Sequence, residues 1–227
     1  MQPTKGYKGM GMEGAVARWY ERNTRRSMPE FKSLAQRMAG TLAPGARVLE
    51  VAPGPGFFAI ELAQLGNFEI TGLDISATFV EIARGNAERE GVHVDFQQGN
   101  ASNLPFPADR FHLVLCRAAF KNFSDPVGAL REMRRVLKPG GRAVVIDLRK
   151  DVDTAELDRY IHALNAGALN AFIMKWTFRL MLIKRAYTRE QFEQFIAQSG
   201  FEKSDIQANP VGYEITLSKC REQDQVA

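Results

Sequence analysis

In Arg47-Val48-Leu49-Glu50-Val51-Ala52-Pro53-Gly54-Pro55-Gly56-Phe57-Phe58, an apolar run breaks into a loop of two glycines and two prolines and then resumes. Val48, Leu49 and Val51 read as a short buried strand. Phe57, Phe58, Ile60, Leu62 and Leu65 read as a helix with one apolar face. Between them, Gly54 and Gly56 permit backbone conformations and close approaches that a Cβ would block. A strand, a glycine loop and a helix N-terminus form a cradle for a polar ligand, because the first N–H groups of the helix have no partner within it. Eighteen residues past Gly56, a second apolar run ends in Leu73-Asp74 and places a carboxylate at the end of the next strand. This is the layout of a nucleoside-binding α/β domain, with Asp74 positioned to hold ribose hydroxyls.

The loop Gly54-Pro55-Gly56-Phe57-Phe58-Ala59 also fits the dinucleotide pattern G-x-G-x-x-A, a weak signal by itself. Glu50 argues against a dinucleotide. It stands at the end of the first strand, where a dinucleotide would put its doubly anionic pyrophosphate. A carboxylate there repels that ligand and suits a cationic one, such as the α-amino group and sulfonium of S-adenosyl-L-methionine.

The chain of 227 residues is long enough for one well-buried domain with a small appended element. Its apolar and charged fractions, 45% and 25%, are those of an ordinary globular protein, and a net charge of +4 is too small to argue for nucleic acid. Cys116 and Cys220 are far apart and fit no metal spacing, so no metal is expected. Cys116 lies inside an apolar run and reads as a small core residue. Sparse cysteines and the lack of an apolar leader run make a reducing, cytoplasmic location the expectation.

Residues Met1 to Gly14 are rich in glycine and carry Lys5, Tyr7 and Lys8, the composition of a mobile or ligand-ordered arm. Ala15, Val16, Trp19 and Tyr20 follow at helical spacing among Arg18, Arg22, Arg25 and Arg26. These arginines read either as a solvated face or as a basic rim for an acidic substrate or membrane surface. A second helix is expected over Pro29 to Ala39, so residues 1–44 form an arm and helices covering the site. The domain proper runs from 45 to 227. Further strands are expected at Phe68 to Asp74, Val92 to Gln97, Phe111 to Cys116 and Ala143 to Leu148. Ser76 caps one intervening helix and Asp125-Pro126 opens another. Strands alternating with helices predict a doubly wound, mostly parallel sheet. Two terminal strands, Phe201 to Ile206 and Tyr213 to Ser218, raise the count to seven and depart from the simple dinucleotide fold.

Residues 151–186 interrupt the alternation as a helical insert after strand five. Helix is expected over Asp151 to Ala171, and 171–183 is apolar on nearly all sides yet interrupted by Lys175 and Arg179, too short to span a bilayer. A cap over the substrate pocket is one reading; a homodimer surface or a peripheral membrane contact are the others. Thr188 and Gln191 form a capping box for a last helix, which Gly200 closes.

With these motifs in order, the chain resembles the class I S-adenosylmethionine-dependent methyltransferases. The segment from Asn122 through Leu137-Lys138-Pro139-Gly140-Gly141 resembles the small-molecule branch that includes the ubiquinone and menaquinone C-methyltransferases. The resemblance covers residues 45 to 150 well, the terminal strands loosely, and the arm and insert not at all. Ala52 stands where the family usually has its first loop glycine. Asn100 stands where the family commonly has an acid facing the adenine.

The resemblance implies a Rossmann-like methyltransferase fold that binds S-adenosyl-L-methionine and releases S-adenosyl-L-homocysteine. It implies that Glu50 stands near the methionine end of the donor and that the backbone at Ala52, Gly54 and Gly56 approaches it. Asp74 takes the ribose hydroxyls and Ile75 packs on the adenine. Asn100 and Ala101 face the adenine edge, while Cys116 and Arg117 close the site. Two local alternatives stay open: Glu50 capping a helix, and Asn100 stabilising its own turn.

Methyl transfer from a sulfonium needs alignment and exclusion of water, and a general base only for a weakly acidic acceptor. The candidates for that work are Tyr20, Arg117, Lys121, Asp147, Arg149 and His162. The expected partner is a small, partly apolar acceptor, with Phe172, Trp176 and Phe178 of the insert as pocket wall. No transmembrane segment and no nucleic acid are expected. A non-catalytic donor-binding module and a nicotinamide-dependent oxidoreductase are the competing readings.

Overall fold

The computed structural model describes residues 6–8, 11–163 and 183–221. The helices α1 (Gly14–Thr24) and α2 (Met28–Ala39) precede β1 (Arg47–Val51), α3 (Phe57–Ala63), β2 (Glu69–Asp74), α4 (Ala77–Arg89) and β3 (Asp95–Gln98). Then come β4 (Phe111–Arg117), α5 (Pro126–Val136), β5 (Leu137–Leu148) and α6 (Thr154–Ala163). A single helical turn at Ile183–Arg185 leads to α7 (Arg189–Ser199), β6 (Lys203–Ala208) and β7 (Gly212–Ser218). The strands form one seven-stranded sheet in the order β3-β2-β1-β4-β5-β7-β6, with β7 antiparallel to both its neighbours. The doubly wound, mostly parallel sheet expected from the alternation is borne out.

Each strand of the centre is apolar on both faces because helices cover both. Val48, Leu113, Leu115 and Val144 point into one core with α2, α3 and α4. Leu49, Val114, Cys116 and Val145 alternate with them and point into the other, with α5 and α7. The capping residues act as read. The Ser76 hydroxyl accepts from the Phe79 N–H, Asp125 accepts from Gly128, and Thr188 and Gln191 complete their box.

Several boundaries differ from the sequence reading, among them β6, found at Lys203–Ala208 instead of Phe201 to Ile206. β3 starts at Asp95 rather than Val92, because the Val92 N–H is spent on the Ala87 carbonyl at the end of α4. β5 starts at Leu137 instead of Ala143. Phe111 pairs with Leu137, the register then jumps, and Leu113 pairs with Arg142. The turn Lys138–Gly141 is therefore extruded from a strand that has already begun. Of the insert, α6 is seen over Thr154–Ala163. The apolar run with Phe172, Trp176 and Phe178 lies outside the described residues.

Candidate functional site

The parallel strands end on one rim, and the turn between β1 and α3 stands at its centre. Ala52, Gly54 and Gly56 all take left-handed φ angles, of 57°, 55° and 79°. Gly56 is the N-cap of α3, and a Cβ on it would lie 2.6 Å from the Phe96 ring and 2.9 Å from Ala83. Glycine is required there on both counts. Ala52 holds a conformation that glycine would adopt without strain.

Glu50 is buried beneath this turn, and its Oε2 accepts from the Ala59 N–H at 3.1 Å. It thus caps α3 from the neighbouring strand, one of the two roles open to it in the sequence. Burial pushes its carboxyl up to about 8, although the Ala59 hydrogen bond and the charge of Arg117 act the other way. Asp74 is buried at the end of β2. Its Oδ2 accepts from Gly54 N–H and its Oδ1 from Ser76 N–H, each at 2.9 Å. Burial raises its carboxyl as well, opposed by those two hydrogen bonds. The fork of Asp74 therefore ties the glycine turn to the start of α4.

Ile75 follows on the rim and is 39% exposed, an apolar shelf facing outward. Asn100 stands beside it, with its Oδ1 accepting from Ser102 N–H at 3.0 Å, so it stabilises its own turn. Ala101 is buried in the core below. The N-terminal arm crosses this shelf. Gly6 lies so close that a Cβ would stand 2.7 Å from both Ile75 Cδ1 and Asn100 Nδ2. Tyr7 forms an antiparallel bridge with Phe123, and Lys8 N–H donates to Asn122 O at 2.7 Å. Burial raises the Tyr7 phenol. Glu13 then accepts from the N–H groups of Ala77 and Thr78, at 3.2 and 3.1 Å, capping α4 from outside.

At the end of β4, Cys116 is fully buried and its thiol is pushed well up by that burial, the state of a core residue. Arg117 pairs with Glu30 of α2 at 2.6 Å and stacks 4.2 Å from the centre of the Phe31 ring. Lys121 and Asp147, two of the catalytic candidates, are buried against each other. Lys121 Nζ lies 2.8 Å from Asp147 Oδ1, and Lys121 N–H donates to Oδ2 at 2.8 Å. Arg149 pairs with Glu156 of α6 at 2.5 Å. Tyr20 packs edge-on to Phe79 and stands over the Gly54 turn. His162 lies on α6. The geometry thus gathers Glu50, Gly54, Gly56, Asp74, Ile75, Asn100, Tyr20 and Arg117 at one rim, with Arg117 held there by Glu30, whereas Lys121 and Asp147 pair with each other in the core and Arg149 with Glu156.

Beside Arg117 opens a cleft of about 450 Å³, lined by Pro29, Glu30, Leu34, Ile146 and the Arg37–Glu214 ion pair. Sequence reading did not single out Glu30, Arg37 or Glu214. They look like ordinary charges on a helix and a strand, and only the packing of α2 on the sheet makes them a wall. Glu13 was missed for the same reason, since its partner Thr78 is distant in the chain. Among the described residues, no group of three or more His, Cys, Asp or Glu side chains is arranged to hold a metal ion. No helix among them is long and apolar enough to cross a membrane.

Residues 49–145 match the family described as a methyltransferase domain. An uncharacterized methyltransferase, YcgJ of Bacillus subtilis, is 40% identical over 52% of this chain and 47% of its own length. The demethylmenaquinone methyltransferase of Deinococcus radiodurans is 42% identical over 44% of this chain and 42% of its own. The chain thus spans about half the length of these curated relatives. Among solved structures, a candidate S-adenosyl-L-methionine-dependent methyltransferase of Methanococcus maripaludis superposes with a TM-score of 0.77. At 20% identity, over 95% of this chain and 97% of that one, this likeness establishes the fold. Glu50, the glycine turn, Asp74, Asn100 and Arg117 all fall inside residues 49–145, the segment that is similar to the methyltransferase-domain family.

Proposed function

We propose that the protein transfers a methyl group from S-adenosyl-L-methionine to a small, partly apolar acceptor and releases S-adenosyl-L-homocysteine. One observation carries this reading over a nicotinamide enzyme. A buried carboxylate, Glu50, lies directly under the glycine turn with its carboxyl pushed up to about 8 by burial. A cationic ligand end lowers that value and draws the group to its ionised form, whereas a pyrophosphate would raise it further. The other parts of the rim fit the same ligand. Asp74 has acceptor capacity left beside its backbone bonds for a ribose hydroxyl, and Ile75 offers an apolar face for the base. The left-handed turn brings backbone close to the ligand.

The sulfonium supplies an already activated methyl group, so the chain's own residues orient, enclose and exclude water. Arg117 joins the donor rim to the cleft beside it, and that cleft receives the acceptor. The quinone methyltransferase among the relatives supports a ring compound as the acceptor class. Because Lys121 and Asp147 neutralise each other in the core, neither serves as the base, and the acceptor brings its own acidity or loses its proton to water. Two well-separated free thiols support a reducing, cytoplasmic location. Residues 171–183 as a homodimer or peripheral membrane contact remain part of this proposal.

The test is thermal protection of the purified chain by S-adenosyl-L-methionine, S-adenosyl-L-homocysteine and NAD. A ligand at a hundredfold its Kd should stabilise by about 2.7 kcal/mol. Protection by the two sulfur nucleosides is expected, with loss of it in Asp74→Ala. Protection by NAD alone would overturn the reading. Tight donor binding without turnover over a broad acceptor panel would instead favour a non-catalytic donor-binding module.

A further inference from the structure

At the opposite end of the sheet, where the parallel strands begin, the extruded turn Lys138–Gly141 has no part in the donor rim. With the turn Thr41–Ala46 and His112 it encloses a hollow of about 410 Å³. The hollow is lined by Lys138, Arg142 and Arg221 beside His112, and by no carboxylate. Arg142 donates to the Thr41 hydroxyl, and Lys138 Nζ lies 3.2 Å from His112 Nε2. Among the described residues, neither cation is matched to an acid. The acids of the surrounding elements are engaged elsewhere, Glu69 with Arg47, Asp109 with Lys219, and Glu214 with Arg37.

The tautomer of His112 adds an independent constraint. Its Nδ1 lies 2.9 Å from the Arg47 backbone N–H, a group that can only donate, so Nδ1 is the acceptor. The neutral ring then carries its proton on Nε2, the atom that faces the Lys138 ammonium. Two donors are aimed at each other with no protein acceptor between them. Desolvation, then the charges of Lys138 and Arg47, hold the imidazole below its ordinary value, which keeps the ring in this neutral state; Glu69 opposes them weakly.

We propose that this hollow binds a soluble, multivalent oxyanion of the phosphate class, whose oxygens accept from Lys138, the His112 Nε2–H and Arg142. Several acceptor oxygens on one centre satisfy the facing donors together, and two or more negative charges match both cations. A monovalent carboxylate would leave one cation unmatched. The volume admits a diphosphate or a phosphate ester. The site is remote from Glu50 and Asp74 and stands whether or not the donor reading holds.

The experiment titrates the full chain with inorganic pyrophosphate at constant ionic strength, reading the His112 ring by NMR and the melting temperature. Saturable binding is expected, with the His112 pKa rising on saturation because the anion favours the charged ring. The double variant K138Q/R142Q should weaken binding by about tenfold or more, two charge-assisted hydrogen bonds being removed. R142Q alone, which leaves the Lys138–His112 contact in place, serves should the double variant not fold. The proposal fails if sodium chloride reproduces the shifts, or if the variants bind pyrophosphate as well as the native chain. It also fails if only vesicles of phosphatidylglycerol, and not pyrophosphate, perturb His112.

Discussion

A fully solvated Glu50 would ionise near 4.5, whereas burial in the fold holds its proton to about 8. Between those values the folded state binds more protons than the unfolded one, so stability falls as pH rises through that window. The Glu50→Gln variant keeps an oxygen for the Ala59 N–H and loses the titration. Urea unfolding between pH 5 and pH 8 should therefore show a shallower decline for Glu50→Gln than for the native chain. An equal slope would mean the carboxyl is already ionised in the fold. Asp74 works in the same sense but is anchored by two backbone donors, so its carboxylate is a fixed fork rather than a swinging arm. At this scale the chain was readable: an acid after an apolar run, two glycines where backbone must approach. That Glu50 caps α3 was one of two readings the sequence left open, because the choice depends on how α3 packs on β1.

Among the elements, the β4–α5 connection shows what local pattern leaves out. Ala118 takes a left-handed φ of 59°, and the next turn drives Lys121 into the core, where Asp147 of β5 receives it. Both residues looked like candidates for chemistry because both lie near the C-terminal ends of strands on the candidate rim. Their pairing joins positions with no periodic relation in the chain, and nothing in either neighbourhood announces it. Removing one partner leaves a buried charge unmatched. Asp147→Ala should lower stability by about 3–5 kcal/mol. The double change K121M/D147L should recover most of that loss, since a packed apolar pair often replaces a buried ion pair at little cost. Urea denaturation of the three proteins checks this. Equal losses in the single and double variants would show that the loop needs the charges themselves. The helix caps at Ser76, Asp125 and Thr188, by contrast, were legible because each lies within three residues of the N–H it serves.

Across the whole molecule, the start of the chain returns to the rim built by β2, β3 and β4. Lys8 reaches Tyr187 with a 2.7 Å hydrogen bond, and Glu13 holds α4. Gly6→Val would force either the arm off Ile75 and Asn100 or those side chains out of place. Donor affinity should fall by about tenfold, as the competent arrangement becomes a minor population, while the melting temperature of the free protein changes little. Calorimetric titration with S-adenosyl-L-homocysteine decides it, and unchanged affinity would remove the arm from the site. The strand order carries a different consequence. β5 pairs with β7 along Arg142 to Leu148, and β7 lies more than sixty residues further along the chain. As the protein leaves the ribosome, the apolar edge of β5 waits uncovered until residues 212–218 have emerged. Interrupted synthesis before Gly212 would leave a long unpaired strand exposed, so prematurely ended chains of this protein should be found in aggregates rather than as shorter folded chains.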